Sequence, residues 1–197
     1  MNAKYWLPLS AVLTLLAGCG PRESATEKSD TAAATATPST PTPAEPPAQE
    51  SAATAQLAPT QGHETSGSLT LTASGDSVHI TGALLGLPPN TEVGFHIHEK
   101  GDCSAPDASS AGGHFNPTNA QHGNPQGATH HAGDMLNAKS DDQGMAQVDT
   151  VATGVSLDAT QPNSVHGKAI VVHEKADDYA SQPAGNSGAR IACGVIS

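Results

Sequence analysis

The chain has 197 residues, including 20 Gly and 15 Pro, and only 14% are charged and 3% aromatic. Such Gly and Pro content excludes a coiled coil or long helical bundle, and the length suits one domain with appendages. Acidic residues outnumber basic ones 19 to 8, a formal charge of −11, which argues against a nucleic-acid partner gripped through its phosphates. Ten His point instead toward metals or proton chemistry.

Residues 1–18 read as an export signal. Lys4 supplies the positive charge, and the apolar stretch from Trp6 to Ala17 has 12 residues, short of the roughly 20 that span a bilayer. Leu16-Ala17-Gly18-Cys19 resembles the bacterial lipoprotein cleavage motif, so Cys19 is expected to carry acyl chains that anchor the mature protein to a membrane. Gly20 beside Cys19 suggests the outer membrane, with the domain in the periplasm or on the outer face. From Gly20 to Thr65, 31 of 46 residues are Ala, Thr, Pro or Ser. That composition cannot bury enough apolar surface to offset ordering, so residues 19–65 are expected to form a disordered tether, with His63 solvated.

Residues 66–197 remain as the folded domain, 13 acids facing Lys100, Lys139, Lys168, Lys175 and Arg190. Apolar residues recur at period two in Leu69/Leu71/Ala73, Val78/Ile80, Val93/Phe95/Ile97 and Ile170/Val172. Turn signals at Ser74-Gly75-Asp76, Pro88-Pro89-Asn90 and Asp141-Asp142-Gln143-Gly144 separate them. An all-β antiparallel sandwich or flattened barrel follows. The interval from Gly101 to Met135 breaks the pattern with Gly, Asn, Pro and His. A loop that long in a compact domain is usually functional, and something other than an apolar core must order it.

His96 and His98, at i and i+2 of a strand over Val93–His98, project from one face with Cα atoms roughly 7 Å apart. Two imidazoles so placed can converge on one ion. The long loop then offers His114, His122, His130, His131 and Asp134, and a second strand ends in His173.

Six blocks carry a resemblance to the copper/zinc superoxide dismutases: Gly94-Phe95-His96-Ile97-His98-Glu99, Gly112-Gly113-His114-Phe115-Asn116-Pro117, His122-Gly123, His131-Ala132-Gly133-Asp134, the run Val171–Asp178, and the run Gly188–Ile196. The resemblance implies an eight-stranded Greek-key barrel with long metal-binding and electrostatic loops. It implies copper held by His96, His98, His114 and His173, and zinc by His114, His122, His131 and Asp134. Two four-coordinate sites need eight ligand positions and the set offers seven, so one imidazole is shared, and the resemblance assigns that bridge to His114. Imidazoles alone suit Cu(II), while three His and one Asp suit Zn(II). Spacing does not choose between His130 and His131; the family pattern selects His131. The family also implies a carboxylate linking a copper His to a zinc His, at Asp177, and an arginine beside copper, at Arg190, able to attract a small anion. Superoxide is the implied substrate, with His114 and Arg190 as catalytic residues. Lys100, Lys139 and Lys175 are candidate steering charges. His79 and His166 read as structural or surface residues.

With Cys19 set aside for the lipid, Cys103 and Cys193 remain, and export makes a disulfide between them plausible, as the family also implies. A non-catalytic copper- and zinc-buffering lipoprotein explains the His content and tether but gives no reason for Arg190. Hydrolase and cupin patterns fail at Lys100 and Gly101, and at Asp102 and Cys103. The family contains monomers and dimers, so a second copy of the chain is a candidate partner.

Overall fold

A computed structural model describes residues 51–197. The signal segment, Cys19 and the expected tether up to residue 50 lie outside the described residues. Among the described residues the chain forms β1 (Ala52–Pro59), β2 (Ser66–Ser74), β3 (Ser77–Leu85), β4 (Glu92–Val93), β5 (Phe95–His98), β6 (Ala138–Lys139), β7 (Ala146–Thr153), β8 (Ala169–His173) and β9 (Arg190–Val195), with one 3-10 turn at Ser109–Ala111. Seven strands make a curled antiparallel sheet in the order β5-β8-β9-β1-β2-β3-β7, while β4 and β6 pair as a separate ribbon. The fold is all-β, as the periodicity predicts, with its inner face filled by aliphatics such as Leu69, Leu71, Ile80, Leu84, Ile170 and Val172 around Phe95.

Two expectations are corrected. The tether does not run to Thr65: residues 52–59 are β1, paired with both β2 and β9. Its inward residues are Ala53, Ala55 and Leu57, and Gly194 of β9 lies close against its backbone: a Cβ there would collide with the Gln56 carbonyl. His63 correspondingly lies half-buried just beyond β1. The count also differs from eight, because the strand expected over Val93–His98 is broken at Gly94. There the backbone leaves the β6 ribbon and engages the β8 side: Gly94 N–H donates to Lys175 O at 2.8 Å, and Gly94 O accepts from His173 N–H at 2.8 Å. A Cβ at Gly94 would stand 3.0 Å from Ser187 Oγ and 3.1 Å from the His96 ring, so the absence of a side chain eases packing at the break.

β5 and β8 are buried on both faces. Inward they join the main core. On the outer face Ala169 and Val171 pack with Ala108, Ala111 and Cys193 in a small second cluster. The Cys103–Cys193 disulfide sits at this cluster, spanning 90 positions with Cα atoms 5.8 Å apart. Closing a loop of that length stabilises a chain by about 4–5 kcal/mol in the chain-entropy account. The long loop is stitched to the edge of β5: Phe115 N–H donates to Ile97 O, Ile97 N–H to Gly133 O, and Gly133 N–H to Phe115 O, all within 2.8–2.9 Å. These bonds deliver His114, His122, His131 and Asp134 to the face that already carries His96 and His98.

Candidate metal centre

Seven side chains converge as two overlapping groups, His96/His98/His114/His173 and His114/His122/His131/Asp134, each with ligand atoms within 4.8 Å of one another. All seven are buried. Hydrogen-bond partners fix which ring nitrogen carries the proton, because a carbonyl or carboxylate oxygen can only accept. His98 Nδ1 donates to Gly112 O at 2.9 Å and His173 Nδ1 to Gly188 O at 3.4 Å. Their Nε2 lone pairs therefore face each other, 3.4 Å apart. His96 Nε2 donates to Asp177 Oδ2 at 2.8 Å, leaving buried His96 Nδ1 without a partner, like His114 Nε2. Four lone pairs with no donor between them repel one another, and burial penalises unpartnered polar atoms. A cation at their centre removes both penalties, and four imidazoles suit copper.

The second group has one carboxylate oxygen at its middle. Asp134 Oδ1 lies 2.8 Å from His114 Nδ1, 3.1 Å from His122 Nδ1 and 3.3 Å from His131 Nδ1. Asp134 Oδ2 is occupied by the N–H groups of Gly123 and His131, at 3.1 and 2.8 Å. A tetrahedron around zinc, with bonds of about 2.0–2.1 Å, has ligand edges of about 3.3 Å, so the set fits that ion with little rearrangement. Asp177 joins the groups: its Oδ2 accepts from His96 and its Oδ1 from His122 Nε2 at 2.9 Å.

Electrostatics follow the same division. Burial, reinforced by neighbouring imidazoles, pushes His98 down to about 2 and His173 to about 3. Burial takes His114 to about 4 although Asp134 opposes it. Burial also works against a charged His122, but Asp134 and Asp177 outweigh it and raise that ring to about 9. Both carboxylates are held well below their ordinary range, burial being overcome by hydrogen bonds from the histidines. His98, His173 and His114 are thus neutral and ready to accept an ion at neutral pH, whereas His122 must first lose a proton.

The copper-side group opens on a cleft of about 420 Å³ walled by Glu99, Asn116, Pro183, Ala184 and Arg190 among others. Arg190 donates from Nη1 to Ala108 O and from Nη2 to Gly112 O, both at 2.7 Å. Lys100, Lys139 and Lys175 are not among the lining residues, so any steering by them acts from outside the cleft. His130 lies outside both groups and donates from Nδ1 to His131 O at 2.7 Å. His79 pairs with Asp149 at 2.6 Å on the outer surface, and His166 is exposed.

Residues 65–196 match the model of the copper/zinc superoxide dismutase (SODC) family. The chain belongs to the copper/zinc superoxide dismutase family. Superoxide dismutase (Cu-Zn) 2 of Aquifex aeolicus is 47% identical over 146 residues, covering 72% of this chain and 84% of that one. Among solved structures, the clock protein EA4 is 41% identical with a TM-score of 0.66, covering 75% of this chain and 94% of its own. A SOD-like protein from Bacillus subtilis is 40% identical with a TM-score of 0.64, covering 72% and 95%. The chain is thus a family member in which both metal-ligand groups are complete.

Sequence reasoning missed several contributors to the site. Thr60, in the supposed tether, donates its hydroxyl to Arg190 O at 2.7 Å. The carbonyls of Ala108 and Gly112 aim the guanidinium, and backbone acceptors leave no mark in residue type. The carboxamides of Asn137 and Gln182 reach the backbone of Asp177 and His122.

Proposed function

We propose that the chain is a membrane-anchored cell-envelope enzyme that disproportionates superoxide. Two superoxide anions and two protons give one dioxygen, by oxidation of the first anion, and one hydrogen peroxide, by reduction of the second. One observation carries this reading above metal buffering: a copper-side imidazole and the only arginine of the described residues share an acceptor. Gly112 O receives both His98 Nδ1–H and Arg190 Nη2–H. A storage site has no use for a cation locked at its mouth, whereas an enzyme acting on a small anion does.

Copper, when bound, supplies one-electron redox chemistry at the 96/98/114/173 group, and zinc at the other group stays redox-silent. Arg190 spends two of its five N–H donors on loop carbonyls and keeps the rest to draw in and orient the anion. His114 Nε2, buried and without a protein partner, is the atom at which the chain can hold a proton for the product. Asp177 keeps the His96 and His122 rings in the tautomers that turn both Nδ1 atoms inward.

Copper- and zinc-loaded protein is expected to consume superoxide, measured by direct decay. His96→Ala abolishes that activity, and Arg190→Ala lowers it about tenfold, the modest end of electrostatic steering effects. A fully loaded protein inert toward superoxide is the result that leaves buffering standing. The anchor is tested separately: Cys19→Ser transfers the protein from the membrane to the soluble fraction, and wild-type protein already soluble defeats the lipid assignment.

A further inference from the structure

The Asp177–His122 hydrogen bond is the one joint through which the copper-side ring of His96 and a zinc ligand share a carboxylate. Both residues sit on loops, and each is gripped at its peptide group by a carboxamide from the opposite loop. Asn137, just past the zinc loop, accepts Asp177 N–H at Oδ1 and donates from Nδ2 to Asp177 O, both at 2.9 Å. Gln182, on the loop that follows β8, accepts His122 N–H at Oε1 at 3.0 Å and donates from Nε2 to His122 O at 2.9 Å. Each clamp is a two-bond ring that holds the N–H and the C=O of one residue, and so fixes the two peptide planes that flank its Cα. Together they cross-lace the loops on either side of the joint.

The geometry points to Asn137 and Gln182 as paired positioning residues that hold the Asp177–His122 joint in register and so set how tightly the protein retains zinc. The inference rests on the 114/122/131/134 group being the zinc site. Neither carboxamide touches a ligand atom, so each acts through the residue it clamps. Outer partners of metal ligands typically change affinity 10–100-fold when removed. Because both clamps serve one hydrogen bond, their losses overlap rather than multiply.

The loop has internal order of its own, which provides the control. Asn186 donates to Asp178 Oδ2 at 3.1 Å and to Ser181 Oγ at 2.8 Å and touches neither clamp. Its backbone has φ 53, so Asn186→Gly removes those bonds while keeping the backbone comfortable.

The experiment follows zinc release from copper- and zinc-loaded protein into a chromogenic chelator. A parallel set carries cobalt(II) in place of zinc, so that its d–d spectrum reports ligand geometry. Asn137→Ala and Gln182→Ala are each expected to release zinc about tenfold faster and to shift the cobalt bands. The double variant releases zinc less than a hundredfold faster, and Asn186→Gly stays within twofold of wild type with unshifted bands. Release unchanged in both single variants overturns the proposal. So does Asn186→Gly matching them, which would make general loop order the cause. Wild-type protein that takes up no zinc refutes the zinc assignment itself, a different failure seen before any variant is compared.

Discussion

His114→Ala is expected to extinguish superoxide consumption, by at least about a hundredfold, beyond what loss of an outer partner of a ligand usually costs. His114 is the one side chain common to both groups, so truncating it removes a ligand from each at once. The losses are not equal. On the copper side three imidazoles remain, with His98 and His173 Nε2 still 3.4 Å apart and His96 Nδ1 still inward, and three imidazoles are an adequate copper site. On the zinc side Asp134 Oδ1 loses its closest neighbour, at 2.8 Å, and two imidazoles with one carboxylate resemble an open catalytic site rather than a closed structural one. Metal analysis of His114→Ala should therefore find copper near one equivalent and zinc depleted. Activity vanishes although copper remains, because the unpartnered Nε2 at which a proton for the product can be held is gone. A variant carrying both ions with near wild-type turnover would dismiss both the bridge and its proton role.

How much of this was legible beforehand depended on whether side-chain type or backbone does the work. β2, β3 and β8 show themselves because bulky aliphatics alternate or run continuously. β1 hides because its inward positions are mostly Ala, and Ala next to Pro and Thr imitates a solvated linker. The ligands are legible because metal chemistry demands particular side chains at strand and loop positions. The break at Gly94 is a change of pairing partner, which periodicity does not register. Asn137 and Gln182 sit in loops where carboxamides ordinarily face water; only their reach to a peptide on another loop gives them a role, and that is a property of the fold.

Metal-free protein with its disulfide intact is expected to have its greatest stability near neutrality and to unfold on mild acidification. His98, His173 and His114, depressed to about 2, 3 and 4 mainly by burial, stay neutral in the fold down to those values. The unfolded chain protonates them below about 6.5. Between pH 6 and pH 4.5 the unfolded state thus binds more protons, and stability falls as pH falls. Each imidazole contributes a slope of up to ~1.4 kcal/mol per pH unit, so the three approach ~4 kcal/mol per unit. Against a typical domain stability of about 5–15 kcal/mol, one to two units of acid is enough. Asp134 and Asp177, held below the ordinary carboxylate range, add stability that is present above that range and lost only at still lower pH. His122 has the opposite sign: raised to about 9, it stabilises fully below about 6.5 and its contribution fades as pH climbs through 9. Copper and zinc tie up these same imidazoles, so the loaded protein should hold its melting temperature through the window in which the metal-free form collapses, until protons displace the ions. Melting temperatures of both forms from pH 4.5 to pH 9.5 measure this directly. A metal-free profile that is flat from pH 7 to pH 5 would mean that the three imidazoles reach water without the ions, contrary to the dry, converging geometry on which both metal groups depend.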